Sequence, residues 1–511
     1  MRVEHSLISD PLIDVAMLDG GRERVGLREL LLRAGEIADL EIPVPPAAAG
    51  MWRVLYTVAA RVTGLGLPDD LGPWQAERRN VLKQGGFDQD EVERYLAGVG
   101  ERFFLRGPRP FLQDPRLAEQ CTTASGLNKL IFSRPSGNNH AWWQHASDEQ
   151  PAPIEPREAL WWLLAQLYYG ASGQCTPRTV DGQRFGNSYA GPLRSAISFH
   201  PLGRTLFESL VLGIPAPTSD DDENDAWWET ELADPLQPGT PAVDGADRAV
   251  RGTGSLLTGR FSHAMLLVWD EDKPLVTDAY LTWGRRSPVE AVDPYVIRNI
   301  SQQGTTYDRP ASADRALWRD LDALLREGTD GTRRPQVFAQ LGSLTSEQRA
   351  GLRVRAYGFD QDGQVNNRQY FSAVTPPSFT YLDPESAKRL RDCRLAAENT
   401  GRRLALAAKT AWFESASSLG APPDRARSGP WTGRALAAYW PAAEKVFWAM
   451  IDDPDSTGSP YRQFVQVALR TIEDVAGTAS STPSGAKALN HAKAILLKLL
   501  SDPSPVTKEE A

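Results

Sequence analysis

The chain has 511 residues, too long for one ordinary core, so two or three domains are expected. Its apolar fraction of 41% and charged fraction of 24% exclude wholesale disorder, and no uncharged apolar run reaches the roughly 18 residues a membrane span needs. The net charge of −9 gives no sign of a nucleic-acid binder, but it is a whole-chain sum and binding is local.

In chain order, Leu12 to Met17 reads as a strand running into a Gly20-Gly21 turn, with a second strand or helix start at Val25 to Leu32. Pro43 to Pro46 breaks the chain, and Ala47 to Thr63 carries apolar residues at helical spacing. Glu155 to Tyr169 is a second helix, with Pro156 near its start and Leu160, Leu163, Leu164 and Leu167 in one stripe. From Arg178 to Arg204 four arginines face one aspartate, which on its own reads as a solvated face. Gly252 to Leu281 carries short β-rich runs. Ala264–Trp269 and Leu275–Trp283 form a hairpin across the charged turn Asp270–Pro274. Ala316 to Leu325 is helical. After Thr375-Pro376-Pro377 the pattern changes to four alanine- and leucine-rich segments, Pro384–Ser418, Gly433–Ile451, Pro460–Ala476 and Ser484–Leu500. Short loops between long amphipathic helices predict an antiparallel four-helix bundle. The expected class is α+β: a mixed α/β domain over 1–377, then the bundle over 378–511.

The N-terminal residues lack the pattern of a signal peptide. Cys121, Cys175 and Cys393 are odd in number and far apart, which argues against disulfides or a zinc ribbon and fits a reducing cytoplasm. Catalytic motifs are missing. There is no phosphate-binding glycine loop, no His-Glu-x-x-His, no Cys-x-x-Cys and no nucleophile elbow. Carboxylate pairs such as Glu101 and Asp114 are expected by chance among 65 acidic residues. No metal, no cofactor and no enzymatic activity are expected.

Five segments in order carry a family resemblance. They are Leu12–Gly21 with Val25–Leu30, Phe103-Phe-Leu-Arg-Gly-Pro-Arg-Pro-Phe-Leu-Gln113, and Pro192–Leu206 with His200-Pro-Leu-Gly203. Asp293-Pro-Tyr295 through Tyr307 to Arg319, and Tyr357-Gly-Phe359 through Gln364, complete the set. Together with the helical C-terminus, the chain resembles the CasA family, the large subunit of the type I-E CRISPR surveillance complex Cascade. The resemblance implies a non-catalytic subunit whose partners are a CRISPR guide RNA, double-stranded DNA bearing a short adjacent motif (the PAM), the other Cascade subunits and a separate helicase–nuclease. No membrane is involved.

The family's roles map onto this sequence as follows. The glycine loop that approaches the minor groove falls at Gly170, Ala171, Ser172 and Gly173; the plain alternative is a helix C-cap. The wedge below the PAM is Gln364, with Gln361 as rival; the alternative is an ordinary hairpin turn. The loop that grips guide RNA and docks on the complex is Ser136, Gly137, Asn138, Asn139, His140, Ala141, Trp142 and Trp143. There Trp142 would stack on a base, or both tryptophans pack against protein. The family's minor-groove lysine has no counterpart at the expected place: Lys273 is nearby in a proline turn, and Arg285 or Arg286 are substitutes. Arg402, Arg403, Lys409, Lys493 and Lys498 line bundle faces that either touch DNA or are simply solvated. Two rival readings remain: an interaction scaffold that never touches the PAM, and a hydrolase without a recognisable motif.

Overall fold

The computed structural model describes residues 5–66, 71–136, 147–216, 224–236, 252–287, 289, 291–301, 303–325, 332–362, 366–379, 384–417, 429–453 and 458–501. The chain divides into two units: Met1–Ala313 with Glu327–Thr380, and Asp314–Arg326 with Tyr381–Ala511.

The first unit opens on a small antiparallel sheet. β1 (Ile13–Met17) lies between β2 (Arg22–Val25) and β3 (Ile37–Leu40), with α1 (Leu27–Leu32) between the last two in sequence. Ile13, Val15 and Met17 are buried at period two, as a half-buried strand requires. The β1–β2 turn is closed by Gly20 at φ 89° and by Asp19 Oδ1, which accepts the Gly21 N–H at 2.8 Å.

α2 (Pro45–Thr63) is buried around nearly its whole circumference, the mark of a helix inside a core rather than on its surface. Pro45 and Pro46 start it with φ already set, and Gly64 at φ 70° ends it. α3 (Leu71–Gln84) and α4 (Gln89–Val99) follow. α5 (Pro156–Tyr169) crosses α2 at Gly50, where an added Cβ would come 2.7 Å from a Tyr168 ring carbon. After α5 come the hairpin β4 (Gly173–Val180) and β5 (Gln183–Ser188), then β6 (Ser198–Leu202) and α6 (Leu206–Gly213). β7 (His263–Trp269) and β8 (Val276–Trp283) form a second hairpin, and β9 (Arg298–Ile300) and β10 (Thr306–Asp308) a short third. β11 (Arg353–Asp362) pairs antiparallel with β12 (Asn366–Val374) on one side and β6 on the other. The two β-rich runs expected between Gly252 and Leu281 are the strands β7 and β8, and Thr253–Thr258 ahead of them is helical. The six residues before Gly259 bury Leu256 and Leu257 from adjacent helical positions.

Several segments that carried the family resemblance meet in one buried knot. Asp293 accepts from Arg53 at 3.0 Å and from Arg260 at 2.6 Å. Burial alone would raise its pKa, but the two guanidiniums outweigh that and hold it at about 2. His200 sits between Tyr56 (Nδ1 to Oη 3.2 Å) and Ser198 (Nε2 to Oγ 3.1 Å), and burial keeps it neutral, well below the usual histidine range. Trp52 Nε1 donates to Tyr357 Oη at 3.0 Å. The His200-Pro and Asp293-Pro motifs are therefore packing motifs.

In the second unit, α7 (Pro384–Ser417), α8 (Gly429–Asp452), α9 (Pro460–Ala476) and α10 (Pro483–Ser501) follow in sequence, and α7 packs against each of the other three. The segment 314–325 belongs here and not to the N-terminal unit. Arg315 and Arg319 reach Glu398 at 3.1 and 2.8 Å, and the Trp318 ring lies 4.5 Å from that of Phe447.

Candidate nucleic-acid interface

The glycine loop joins α5 to β4. Gly170 caps the helix, its N–H donating to the Gln166 carbonyl at 2.8 Å. A Cβ on Gly170 would lie 2.6 Å from Gln166 O and 2.6 Å from His263 Cε1, so only glycine fits. Gly173 has φ +124° with open space around it, so its backbone demands glycine. Ala171 between them is exposed and Ser172 half-buried. Cap and exposed loop therefore coexist in one segment.

The loop rests on His263 at the start of β7. Nε2 lies 3.1 Å from the Ala171 carbonyl and 3.3 Å from Ser188 Oγ. Burial pulls this imidazole down to about 4, so it is neutral. Because a carbonyl only accepts, Nε2 carries the hydrogen. Nothing in the sequence around His263 marks it for this role.

The segment after β5 runs along the end of α5. Gly191 N–H donates to Gly170 O and Leu193 N–H to Tyr168 O, both at 2.9 Å. Arg194 then turns inward, 3% exposed. Its Nη1 donates to Tyr169 O at 2.9 Å, Nη2 donates to Asn367 Oδ1, and its guanidinium stacks over Phe359 at 4.9 Å. Its own carbonyl accepts from Gln361 Nε2 at 2.6 Å. Gln361 and Asn367 are register partners beside the irregularity at Asp360/Gln361, one step from the last paired residues of the β11–β12 hairpin. The structure thus brings the glycine loop and the hairpin neck together, and Arg194 is the link. The arginines between 178 and 204 are not one solvated face: Arg178 and Arg194 are buried, while Arg184 and Arg204 are exposed. Arg178 is held at Asp114 (2.7 Å) and stacks on Trp283.

Gln361, the rival wedge, is half-buried with its amide bound at that neck. Gln364 lies outside the described residues, as do Gly137, Asn138, Asn139, His140, Ala141, Trp142 and Trp143 of the docking loop. Ser136, at its start, is half-buried, and nearby Phe132 packs against Phe359 at 5.4 Å.

Lys273 sits in the β7–β8 turn, its N–H held by Asp270 Oδ1. It lies beyond the far end of β7 from His263, at least about 20 Å along the strand, and the structure does not bring it to the loop. Arg285 is turned inward onto Gly259 O at 2.8 Å. Arg286 is better placed. It stacks on Phe185 at 4.2 Å and donates to the Asn187 carbonyl at 2.9 Å, and Asn187 pairs with Gln174, next to Gly173. On the helices of the second unit, Lys493 is paired with Glu473, while Arg402 and Lys498 are exposed.

A cleft of about 370 Å³ lies beyond His263, lined by Trp227, Phe261, Met265 and Arg285 among others. Of the three carboxylates on its wall, Asp114, Asp225 and Glu231, two are already engaged: Asp114 with Arg116 and Arg178, and Glu231 with Arg102 and Arg109. Asp114 is held below the usual carboxylate range by its arginines despite burial, the opposite of what a general acid needs. Among the described residues no group of three metal-ligating side chains is found, and no helix is long and apolar enough to cross a membrane.

Residues 6–477 match the family described as CRISPR-associated protein Cse1. A curated relative, CRISPR-associated protein CasA/Cse1 of Thermus thermophilus, is 30% identical over 78% of this chain and 76% of its own length. Among solved structures, a chain of a CRISPR RNA-guided surveillance complex is 41% identical, covers 97% of this chain and 100% of itself, and superposes with a TM-score of 0.86. Thermus thermophilus CasA (Cse1), at 21% identity, shares the fold with a TM-score of 0.74 over 98% of this chain and 100% of its own. The matches define a CRISPR-associated protein with the mixed α/β fold of the CasA structures. The chain belongs to the Cse1 family, also written CasA, as the ordered segments of its sequence implied.

Proposed function

We propose that this chain is the non-catalytic large subunit of a cytoplasmic, RNA-guided CRISPR complex, with its four C-terminal helices forming an antiparallel bundle. In this reading it docks beside the guide RNA through residues 136–143, reads the PAM of target duplex, begins strand separation and recruits a separate helicase–nuclease. The observation that carries it is the junction at Arg194, which holds an exposed glycine-bearing loop next to the neck of a hairpin. Guide pairing reads the sequence, so the protein need only recognise a short duplex motif and open the first step, at roughly 1–2 kcal/mol of stacking. Backbone at Gly170–Gly173 suits the shallow code of the minor groove. A polar side chain such as that of Gln364 suits insertion below it.

The test is reconstitution with guide RNA and partner subunits, followed by binding to duplexes that differ only in the PAM. The reading requires assembly that depends on this chain and a clear preference for the PAM-bearing duplex. Assembly with equal affinity for both duplexes supports the scaffold reading, which the remote position of Lys273 favours.

A further inference from the structure

We infer that Arg194 is a positioning residue that clamps the neck of the β11–β12 hairpin to the glycine loop, so that the two act on a duplex as one rigid device. The inference rests on the function proposed above and adds a specific residue and coupling to it.

Arg194 is an unusual core residue. Arginine is seldom fully buried unless its charge is paired, yet among the described residues no carboxylate reaches this one. Its partners are a backbone carbonyl, a side-chain amide oxygen and an aromatic face. Each lies on a different piece of the candidate interface: Tyr169 immediately precedes the glycine loop, Asn367 is on the outgoing strand of the hairpin, and Phe359 is on the incoming strand. The backbone of Arg194 adds a fourth tie, through Gln361. Gly191 and Leu193 anchor the same short strap to the helix end. Phe359 also packs against Phe132, four residues before Ser136. One side chain therefore meets the residue leading into the loop, both strands of the hairpin neck and, through Phe359, the segment leading to the docking loop.

A planar fork is needed for this. A lysine has the charge but one nitrogen, which cannot serve Tyr169 O and Asn367 Oδ1 in the same geometry. A carboxylate partner would have neutralised the charge, whereas neutral partners leave a positive potential beneath a surface proposed to meet phosphates. A residue that only filled the core would need neither the charge nor the split contacts.

The experiment compares wild type with Arg194→Lys, Arg194→Met and Asn367→Ala. Asn367 is exposed, so its truncation removes one arm of the clamp while sparing the core. Two readouts are taken. Hydrogen exchange on the isolated chain follows the amides of 170–173 and of the β11–β12 neck. Binding by the guide-bound complex is measured on a PAM-bearing duplex and on the same target pre-opened as a bubble. The clamp predicts faster exchange in both segments for all three variants. It also predicts duplex affinity weakened by about tenfold, with bubble affinity nearly unchanged. If Asn367→Ala and Arg194→Lys leave exchange at the glycine loop at the wild-type rate, there is no clamp. If exchange rises but duplex and bubble binding fall together, Arg194 supports the fold and does not couple recognition to opening. Ala171→Asp and Gln364→Ala separate this from the parent reading. A duplex-specific loss in those two, without one in the Arg194 and Asn367 variants, overturns only the clamp. No duplex-specific loss in Ala171→Asp or Gln364→Ala overturns the proposed function itself, and exchange still decides whether the clamp exists.

Discussion

The His263 ring occupies the space that a Cβ on Gly170 would need, with Cε1 2.6 Å from that position. The helix cap at Gly170 and the ring that supports Ala171 are thus packed directly against each other. Gly170→Ala should destabilise the N-terminal unit by about 1–3 kcal/mol through overpacking. His263→Ala in the same chain should recover only part of the loss, because the Gln166 carbonyl is also 2.6 Å away. Denaturant titration of the two single variants and the double variant measures this. Full additivity of the two losses would show that the ring is not the obstacle.

The same histidine makes stability depend on pH. Its folded pKa is about 4, set by burial, opposed by the Ala171 hydrogen bond and aided by the nearby Arg194 charge. In the unfolded chain it is near 6.5. The unfolded state therefore binds more protons between these values, and stability that is complete above about pH 6.5 falls as pH drops towards 4. The change is roughly 3 kcal/mol. His200 acts in the same direction. Melting of His263→Gln should depend less steeply on pH across that window than melting of wild type, and equal slopes would remove His263 as the cause.

Asp293 neutralises Arg53 and Arg260 inside the core. Asp293→Ala should cost about 3–5 kcal/mol, because it leaves two buried cations uncompensated. Since its folded pKa is depressed to about 2, its contribution is present above the unfolded value near 3.9 and is lost as pH falls through 2. Calorimetry of the variant at neutral pH checks the size of the loss, and a shift under 1 kcal/mol would contradict it.

Arg286, not Lys273, is the cation beside the glycine loop. Arg286→Ala should weaken duplex binding by the assembled complex and lower the salt dependence by about one unit of log–log slope. Lys273→Ala should leave both near wild type. A titration series over salt concentration separates the two, and the reverse pattern would move the duplex to the other end of the β7–β8 hairpin.

Much of this architecture was legible in sequence wherever one physical signal dominated. α2 and α5 carry apolar stripes and proline starts, and β7 and β8 flank a charged turn. The β4–β5 hairpin was missed although it has a strong local signal, Asp181-Gly182, whose φ values of 48° and 75° fit a tight hairpin turn. Pro177 and the lack of alternating apolar residues hid it. Ala316 to Leu325 was read as a helix but not assigned to the C-terminal unit, because its allegiance depends on Glu398 and Phe447 far along the chain. The glycine loop was placed by resemblance. Arg194 and His263 were invisible as site residues, since their roles come from carbonyls, an amide and a glycine brought close only by folding.

The most direct measurement is binding of the guide-loaded complex to a PAM-bearing duplex and to the matching bubble, with wild type, Ala171→Asp and Gln364→Ala. Ala171 is exposed, so the added carboxylate repels phosphate without disturbing the His263 contact. The account predicts that both variants lose affinity for the duplex by tenfold or so and regain it on the bubble. Wild-type binding to both targets would contradict it and leave this chain as a scaffold.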